Sequence, residues 1–250
     1  MNETQNDTTG LIERMTSVGA QYGYRKSRRH PSVSPFIYGV KNRTEVFDLE
    51  KIMASLEDAK AFVRTLAKEG KMLLFVGGKP EAREVVRQGA QTLGQPYAGI
   101  RWIGGTLTNY SEVKKRIKRL LTLREDRDSG GFGKYTKLER LNLDREITRL
   151  GDRFGGLVAM AERLPDALFV VDPRYEHTAV KEARDLFLPV VALLNSDCDA
   201  ALVNYPIAAN DATVASITLF LNEIVGAYRE GAHEREKAGS VPRATEAVAE

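Results

Sequence analysis

The sequence predicts an α/β protein with a mostly parallel sheet and an inserted pair of helices, on three observations. Short apolar runs alternate with helical patterns from Phe47 onward, which is typical of βαβ units. Most of these runs are entirely apolar, as parallel strands buried on both faces are. The alternation is interrupted once, between Asn109 and Pro165, where no strand-like run occurs.

The regular part of the chain divides into six predicted strands and four predicted helices. The first helix has apolar residues at spacings of three and four from Leu49 to Leu66 and ends at Gly70. The second begins at Pro80 and stops at Gly94, following the usual preference for Pro at the start and Gly after the end. The other two cover residues 177–187 and 211–228. The predicted strands are residues 45–49, 72–76, 97–100, 167–172, 190–194 and 205–208.

The interruption is predicted to be a helical hairpin, residues 109–164. A Gly-rich turn at residues 129–133 separates two helical patterns, each with a narrow apolar seam and charged flanks, as in an antiparallel coiled coil that projects from the sheet. The seams are Val113, Ile117, Leu120 and Leu121 in the first helix, and Leu143, Ile147, Leu150, Phe154 and Leu157 in the second. Residues 16–108 and 165–229 then form the α/β domain, and residues 1–15 and 230–250 are expected to be flexible.

Composition excludes several classes of protein. Of the 250 residues, 42% are hydrophobic and 28% are charged, as in an ordinary globular protein. The longest apolar run, residues 186–194, is too short for a membrane span of about 20 residues, and the polar start of the chain lacks the apolar core of a signal peptide. One cysteine and three scattered histidines make a metal cluster or a disulfide framework unexpected. We therefore expect a cytosolic protein without a cofactor.

Two patterns suggest an enzyme, and both are weak. Gly77, Gly78, Lys79 and Pro80 lie between a strand and a helix, where backbone amides can bind phosphate, but they match no nucleotide-binding motif. The simpler interpretation is a tight turn in which the glycines adopt positive φ. Asp172, His177 and Ser196 lack the sequence context of a catalytic triad. A Rossmann-like enzyme that binds a nucleotide or sugar phosphate stays the alternative.

Local basic surplus is the stronger functional signal. The net charge is only +3, yet residues 21–43 contain six basic side chains and no acidic one. Such concentration suggests a polyanionic partner, because cations on a nucleic acid release condensed counterions. From charge alone, an ordinary solvated surface is the more common explanation of a charge run. Mixed arginines and tyrosines suit folded RNA with unpaired bases.

Three segments are the candidate RNA-binding sites. The first is an N-terminal arm with Tyr22, Tyr24, Arg25, Lys26, Arg28 and Arg29. The second follows a strand and contains Arg101, Trp102, Gly104, Gly105, Thr106, Thr108 and Asn109, with Trp102 either a contact or a core anchor beneath the turn. The third is a helical face with Lys114, Lys115, Arg116, Lys118 and Arg119. At spacing four these cations repel one another, and phosphates would relieve that repulsion.

The chain resembles the bacterial small-subunit ribosomal protein 2 family over roughly residues 15–230. The matching segments are Pro35-Phe36-Ile37-Tyr38-Gly39, Val46-Phe47-Asp48-Leu49, Leu74-Phe75-Val76-Gly77, residues 101–109, residues 164–173 and Asn210-Asp211. It departs at Gln21-Tyr22-Gly23-Tyr24, where the family has His-Phe-Gly-His. The resemblance implies a flavodoxin-like, three-layer α/β/α fold carrying a helical hairpin.

By the same resemblance, the protein is a non-catalytic structural constituent of the small ribosomal subunit in the cytoplasm. Its implied partners are small-subunit rRNA and neighbouring ribosomal proteins, among them the large messenger-binding protein 1 of the subunit. A second alternative is a scaffold that contacts only proteins through the hairpin. Neutralising Lys114, Lys115, Lys118 and Arg119 separates the two, because only an RNA binder should lose affinity and salt dependence together.

Overall fold

The computed structural model describes residues 2–239, with side chains from residue 10 to residue 237. Within that range the strands are β1 (Tyr22–Arg25), β2 (Ile37–Lys41), β3 (Thr44–Phe47), β4 (Leu73–Val76), β5 (Tyr97–Ala98), β6 (Ala167–Val171), β7 (Val190–Leu194) and β8 (Tyr205–Ala208). The helices are α1 (Asn2–Ser17), α2 (Leu49–Lys68), α3 (Pro80–Thr92), α4 (Tyr110–Asp128), α5 (Lys137–Phe154), α6 (His177–Asp185) and α7 (Val214–Gly239).

Five strands form one parallel sheet in the order β5-β4-β6-β7-β8. Counted along the chain, this is the order 2-1-3-4-5 of flavodoxin-like folds, so the predicted fold class is confirmed. The strand order reverses between β4 and β6, and the crevice outside the carboxyl ends of these two strands is the usual ligand position in such folds. In this protein that crevice lies between Gly78 and Asp172.

Two apolar cores cover the two faces of the sheet. Alternate strand residues such as Phe75, Phe169 and Leu193 belong to the core formed with α2, α3 and α7. The intervening residues, such as Leu74 and Val170, belong to the core formed with α6 and the helices α4 and α5. Because successive residues of a strand point to opposite faces, fully apolar strands are required here.

A second, antiparallel sheet has the order β1-β3-β2, and it corrects one predicted strand. The run predicted as 45–49 is β3, and it lies in this small sheet rather than in the parallel one. Its burial alternates, with Glu45 and Phe47 buried, as expected for a strand with one covered face. Asn42 and Arg43 form the two-residue turn between β2 and β3, and both have the positive φ that such hairpins favour.

Both terminal helices extend into segments assigned to flexible ends from sequence. Helix α1 occupies most of residues 1–15, and its Met15 side chain is completely buried. Helix α7 continues past residue 229, and its Glu234 forms ion pairs with Arg64 and Lys68 of α2. Residues 240–250, the rest of the predicted tail, lie outside the described residues.

Helices α4 and α5 pack side by side and join the core on the outer face of the sheet. The seam of α4 consists of Val113, Ile117, Leu120 and Leu123, whereas Leu121, predicted as part of it, is 37% exposed. Leu123 continues the three-residue step from Leu120, which explains the correction. In α5, Ile147, Leu150 and Phe154 are buried, and Thr136 and Glu139 form a capping box at its start. That the pair projects as a coiled coil stays a prediction.

Candidate nucleic-acid interface

The small sheet gathers the basic residues of the N-terminal segment. Backbone pairing aligns Arg25 with Thr44, and the Lys26 amide donates to the Arg43 carbonyl at 3.1 Å, so basic residues that are distant in sequence become neighbours. We call five exposed cations of this sheet and its adjoining turns the sheet patch; the sixth, Arg29, is paired with Glu45 and is not included. None of them forms an ion pair with any residue that the structure describes. They are Arg25, Lys26, Arg28, Lys41 and Arg43.

The remaining predicted residues of the arm have partners within the fold. Arg29 lies 3.4 Å from Glu45, a carboxylate with no exposed surface. The Tyr24 ring is partly buried beneath the Arg28 guanidinium, which lies 5.8 Å from the ring centroid. Burial and the negative charge of Asp211 raise the pKa of Tyr24. Tyr22 is 46% exposed, so it is the arm tyrosine whose ring is more accessible to a base.

Ser196, which follows β7, attaches the small sheet to the carboxyl edge of the parallel sheet. Its hydroxyl accepts a hydrogen bond from the Tyr24 amide at 2.9 Å, and its carbonyl accepts one from the His30 amide at 2.8 Å. A Cβ on Gly23 would lie 3.1 Å from the Ser196 hydroxyl, so a larger residue would push the Ser196 side chain away by a few tenths of an ångström. The predicted arm is therefore a strand with fixed neighbours.

The second candidate segment is organised by a buried carboxylate. Glu182 of α6 accepts hydrogen bonds from the Trp102 indole at 3.0 Å, from the backbone amides of Gly105, Leu107 and Thr108, and from the Thr108 hydroxyl. Burial alone would raise the pKa of Glu182, but these hydrogen bonds outweigh it and lower the pKa. Glu182 thus holds the loop in one conformation as an anion.

The loop leaves only part of the predicted set facing solvent. Trp102 is 7% exposed, so it is the core anchor rather than an accessible stacking surface. Thr106 is buried and its hydroxyl donates to the Ile103 carbonyl, while Gly105 adopts a φ of +87° that explains the glycine. The exposed members are Arg101, Gly104, Thr108 and Asn109.

Arg101 lines a groove of about 490 Å³ with other arginines. Arg83 and Arg87 of α3 and Arg153 of α5 face the same space. Arg87 is paired with Glu84 at 2.7 Å, so the groove is not uniformly basic.

The third candidate segment, on α4, is compensated by acidic residues. Lys114 and Lys118 both pair with Glu162, at 3.2 and 3.4 Å. Lys115 pairs with Glu112 at 2.6 Å, and Arg119 pairs with Glu146 of α5 at 3.2 Å. Arg116 is exposed and forms no ion pair among residues 10–237. Three carboxylates, Glu112, Glu146 and Glu162, therefore reduce the expected self-repulsion of this face within the protein.

The crevice at the switch point is occupied by the protein's own charges. The Gly78 amide, which would face a phosphate, donates to the buried carboxylate of Glu176 at 2.8 Å. Burial is the main cause that raises the pKa of Glu176. Gly77 and Gly78 do not have positive φ, which corrects the expected reason for them. A Cβ on Gly78 would lie 2.5 Å from the Ile100 carbonyl oxygen, so close approach requires the glycine.

Lys79 fills the other side of this crevice. Its ammonium lies 3.2 Å from Asp172 and 3.4 Å from Asp211. Asp172, Cys198 and Asp211 also bring potential metal-ligand atoms within 4.8 Å of one another. Burial raises the pKa of the Cys198 thiol, which disfavours the thiolate that binds metals. Lys79 supplies the positive charge that the two carboxylates require.

The structure brings two candidate segments to one edge and leaves the third on a helix beyond it. The small sheet and the loop after β5 both lie at the carboxyl edge, with Lys79 and Gly78 between them. Sequence reasoning did not identify Lys41 and Arg43 as site residues, nor Glu182, Glu176 and Ser196 as the groups that position the site. One signal in the sequence could have identified Glu182: it is an acidic residue on the apolar side of α6, beside Ala179, Val180 and Ala183, where a carboxylate needs hydrogen-bond donors.

Comparison with known proteins identifies the family of the chain. A family model described as Ribosomal protein S2 matches residues 15–231. The small ribosomal subunit protein uS2 of Dictyoglomus turgidum is 38% identical over 227 residues, which cover 91% of this chain and 92% of that protein. That of Chloroflexus aggregans is 39% identical over 227 residues, covering 91% and 95%. That of Roseiflexus sp. (strain RS-1) is 41% identical over 218 residues, covering 87% and 83%.

Among residues 2–239, no helix is both long and apolar enough to cross a bilayer. The family match extends over both sheets and over helices α2 to α6, so it includes every candidate segment described above. The relatives are similar over most of their own length as well. This chain belongs to the ribosomal protein S2 family, whose members are structural, non-enzymatic components of the small ribosomal subunit.

Proposed function

We propose that this chain binds small-subunit rRNA without catalysis, and that the sheet patch makes the main phosphate contacts. The observation that carries the proposal is the contrast between two basic surfaces. The five cations of the sheet patch have no ion-pair partner in the described part of the chain, whereas Lys114, Lys115, Lys118 and Arg119 of α4 each have one. Phosphates add most where no protein carboxylate already compensates the charge.

Further residues extend this surface. Tyr22 offers an exposed ring, and Arg101 and Asn109 offer donors to phosphate or sugar oxygens at the same edge of the parallel sheet. The Thr108 hydroxyl donates to Glu182, so it offers its oxygen as an acceptor for a sugar hydroxyl. Arg116 extends the contact onto α4. Glu182 acts as a positioning residue, because it holds the loop that presents Thr108 and Asn109. The cellular setting that follows is the ribosome in the cytoplasm, with neighbouring ribosomal proteins, including the large messenger-binding protein 1, as further partners.

The enzyme alternative is disfavoured by charge. A nucleotide phosphate at the switch point would face the Glu176 carboxylate, which already accepts from the Gly78 amide. It would also compete with Asp172 and Asp211 for Lys79. Adding a further anion to a buried site that already holds carboxylates would raise its electrostatic energy.

The test is the salt dependence of binding to a transcript of the organism's small-subunit rRNA. Replacing Arg25, Lys26 and Arg28 with Ala should lower the slope of log K against log salt by about 2 to 3, since each phosphate contact contributes about 0.7 to 0.9. The matched control replaces Lys114, Lys115 and Lys118, which are equally basic but paired, and should change the slope by less than about 1.

Sedimentation gives a second readout. The protein should migrate with small subunits on a sucrose gradient and leave that position after ribonuclease treatment. Equal slopes for both triple variants would contradict the assignment to the sheet patch. Migration as a free protein that ignores ribonuclease would contradict RNA binding itself, and RNA-independent migration in a protein complex would support the scaffold alternative.

A further inference from the structure

Helix α6 carries a second basic surface outside the candidate interface. His177, Lys181 and Arg184 follow one another at spacings of four and three, which places them on one side of the helix. They line a groove of about 540 Å³ together with Leu202, which lies outside α6. Lys181 and Arg184 are exposed and form no ion pair with residues 10–237. Asp185 is the acidic residue of the groove lining, so the surface has a net positive charge.

An unusual aromatic residue lies just beyond the end of α6, three positions after Arg184 and outside the residues that line the groove. Phe187 follows α6, and its side chain is 94% exposed. Its φ is +55°, and the Phe187 and Leu188 amides donate to the Arg184 and Ala183 carbonyls. These bonds define a Schellman motif in which the left-handed position is ordinarily glycine.

The position of Phe187 is unfavourable for both its backbone and its side chain. A bulky residue in the left-handed region is strained, and an exposed ring gains nothing from burial. Within the described chain, no stacked or edge-on aromatic partner covers this ring. The fold itself therefore supplies no stabilising reason for an aromatic residue at this position.

We propose that the α6 groove binds a single-stranded segment of RNA, with Lys181 and Arg184 on its phosphates and one base stacked on Phe187. Cations that follow the backbone beside an aromatic ring that holds a base are the arrangement that single strands require. A protein partner of the same groove would need an acidic surface beside an apolar pocket. This inference rests on the proposed function only in taking RNA as the partner class.

The experiment uses the full chain and an oligoadenylate of about 12 nucleotides, within the site size of such grooves. In the variant Phe187→Trp, stacking should quench the introduced indole, and the unsubstituted chain, which contains only the buried Trp102, gives the background signal. Phe187→Leu keeps the exposed apolar contact and the backbone strain but loses the aromatic face. We expect it to bind about tenfold more weakly than the unsubstituted chain, while Phe187→Trp binds as well or better.

Glycine provides the control for folding. Phe187→Gly suits the left-handed position, so its loss of binding cannot come from failure to fold. Equal affinities for the Leu, Gly and unsubstituted chains, or no quenching of the introduced indole in the Phe187→Trp variant, would overturn the proposal. If the Phe187 variants leave oligoadenylate affinity unchanged while the rRNA transcript still binds through the sheet patch, the proposed function stands and this inference fails. If an acidic protein protects the groove and oligoadenylate does not, the partner class is wrong.

Discussion

The buried carboxylate of Glu182 allows a sharp test of how the loop 101–109 is held. The substitution Glu182→Gln preserves the size of the side chain but replaces one acceptor oxygen with a donor NH2 group. Five donors converge on the two oxygens: the Trp102 indole and the Gly105 amide on one, and the Leu107 amide, the Thr108 amide and the Thr108 hydroxyl on the other. In either orientation of the new amide, at least two donors then face another donor.

The size of the effect follows from that count. A buried donor without an acceptor costs about 1 to 3 kcal/mol, and the remaining hydrogen bonds lose the strengthening that a charged acceptor provides. We therefore expect Glu182→Gln to destabilise the protein by about 3 to 5 kcal/mol, a large share of an ordinary stability of about 5 to 15 kcal/mol.

The assay is urea unfolding followed by far-ultraviolet circular dichroism, with the transition midpoint compared at unchanged slope. Glu176→Gln is the matched control, because Glu176 is also buried but accepts a single backbone hydrogen bond, which a glutamine oxygen can still accept. It should cost less than about 1 kcal/mol. Similar losses for both variants, or a loss below about 1 kcal/mol for Glu182→Gln, would refute the account of the loop.

Three further predictions concern other sites. Gly78→Ala should lower stability by about 2 to 3 kcal/mol in thermal unfolding, because the added methyl group would lie 2.5 Å from the Ile100 carbonyl oxygen. Burial and the charge of Asp172 raise the pKa of Asp211 to about 7, so the stability that this group contributes is present below the ordinary carboxylate value of about 4 and is lost as the pH rises from there through the raised pKa. The free energy of unfolding of Asp211→Asn, measured relative to that of the unsubstituted chain, should therefore increase over that pH interval. A difference that stays constant with pH would contradict the raised pKa. Phe187→Gly should raise stability by about 1 kcal/mol by relieving the left-handed strain, and a loss of stability on urea unfolding would contradict that explanation.

The parallel sheet was predictable because its strands lie between two helical layers. The strand residues from Leu73 to Val76 are all buried, so the sequence shows a continuous apolar run that few other structures produce. Strand β1 was not predictable in the same way, because Tyr22–Arg25 is polar and half exposed. What makes it a strand is pairing with β3 and contact with Ser196, and neither partner is visible in a local pattern.

The same limit applies to the candidate interface. Counting charges identified the basic segments, but exposure and pairing decide which cations are available. Lys114 is compensated by Glu162, a residue 48 positions away in sequence, and nothing near Lys114 indicates that partner. The sequence context of Trp102 is compatible with either a core or a surface position. Its indole is held in the core by a hydrogen bond to Glu182, which lies 80 positions later in the sequence.

The attachment of the small sheet to Ser196 has a consequence for synthesis of the chain. The Tyr24 amide pairs with a residue that is 172 positions further along, and Ser32 likewise contacts Ala200 at a separation of 168 residues. Contacts so distant in sequence form late, because the intervening chain must first be made and closed into a loop. The basic N-terminal segment is thus among the first parts to leave the synthesising ribosome. Strand β1 can pair with the nearby β3 early, but the contacts of the segment with Ser196 and Ala200 are among the last to form. During that interval the nascent protein exposes a polycation detached from the parallel sheet, which favours early binding by a chaperone or, under the proposed function, by RNA.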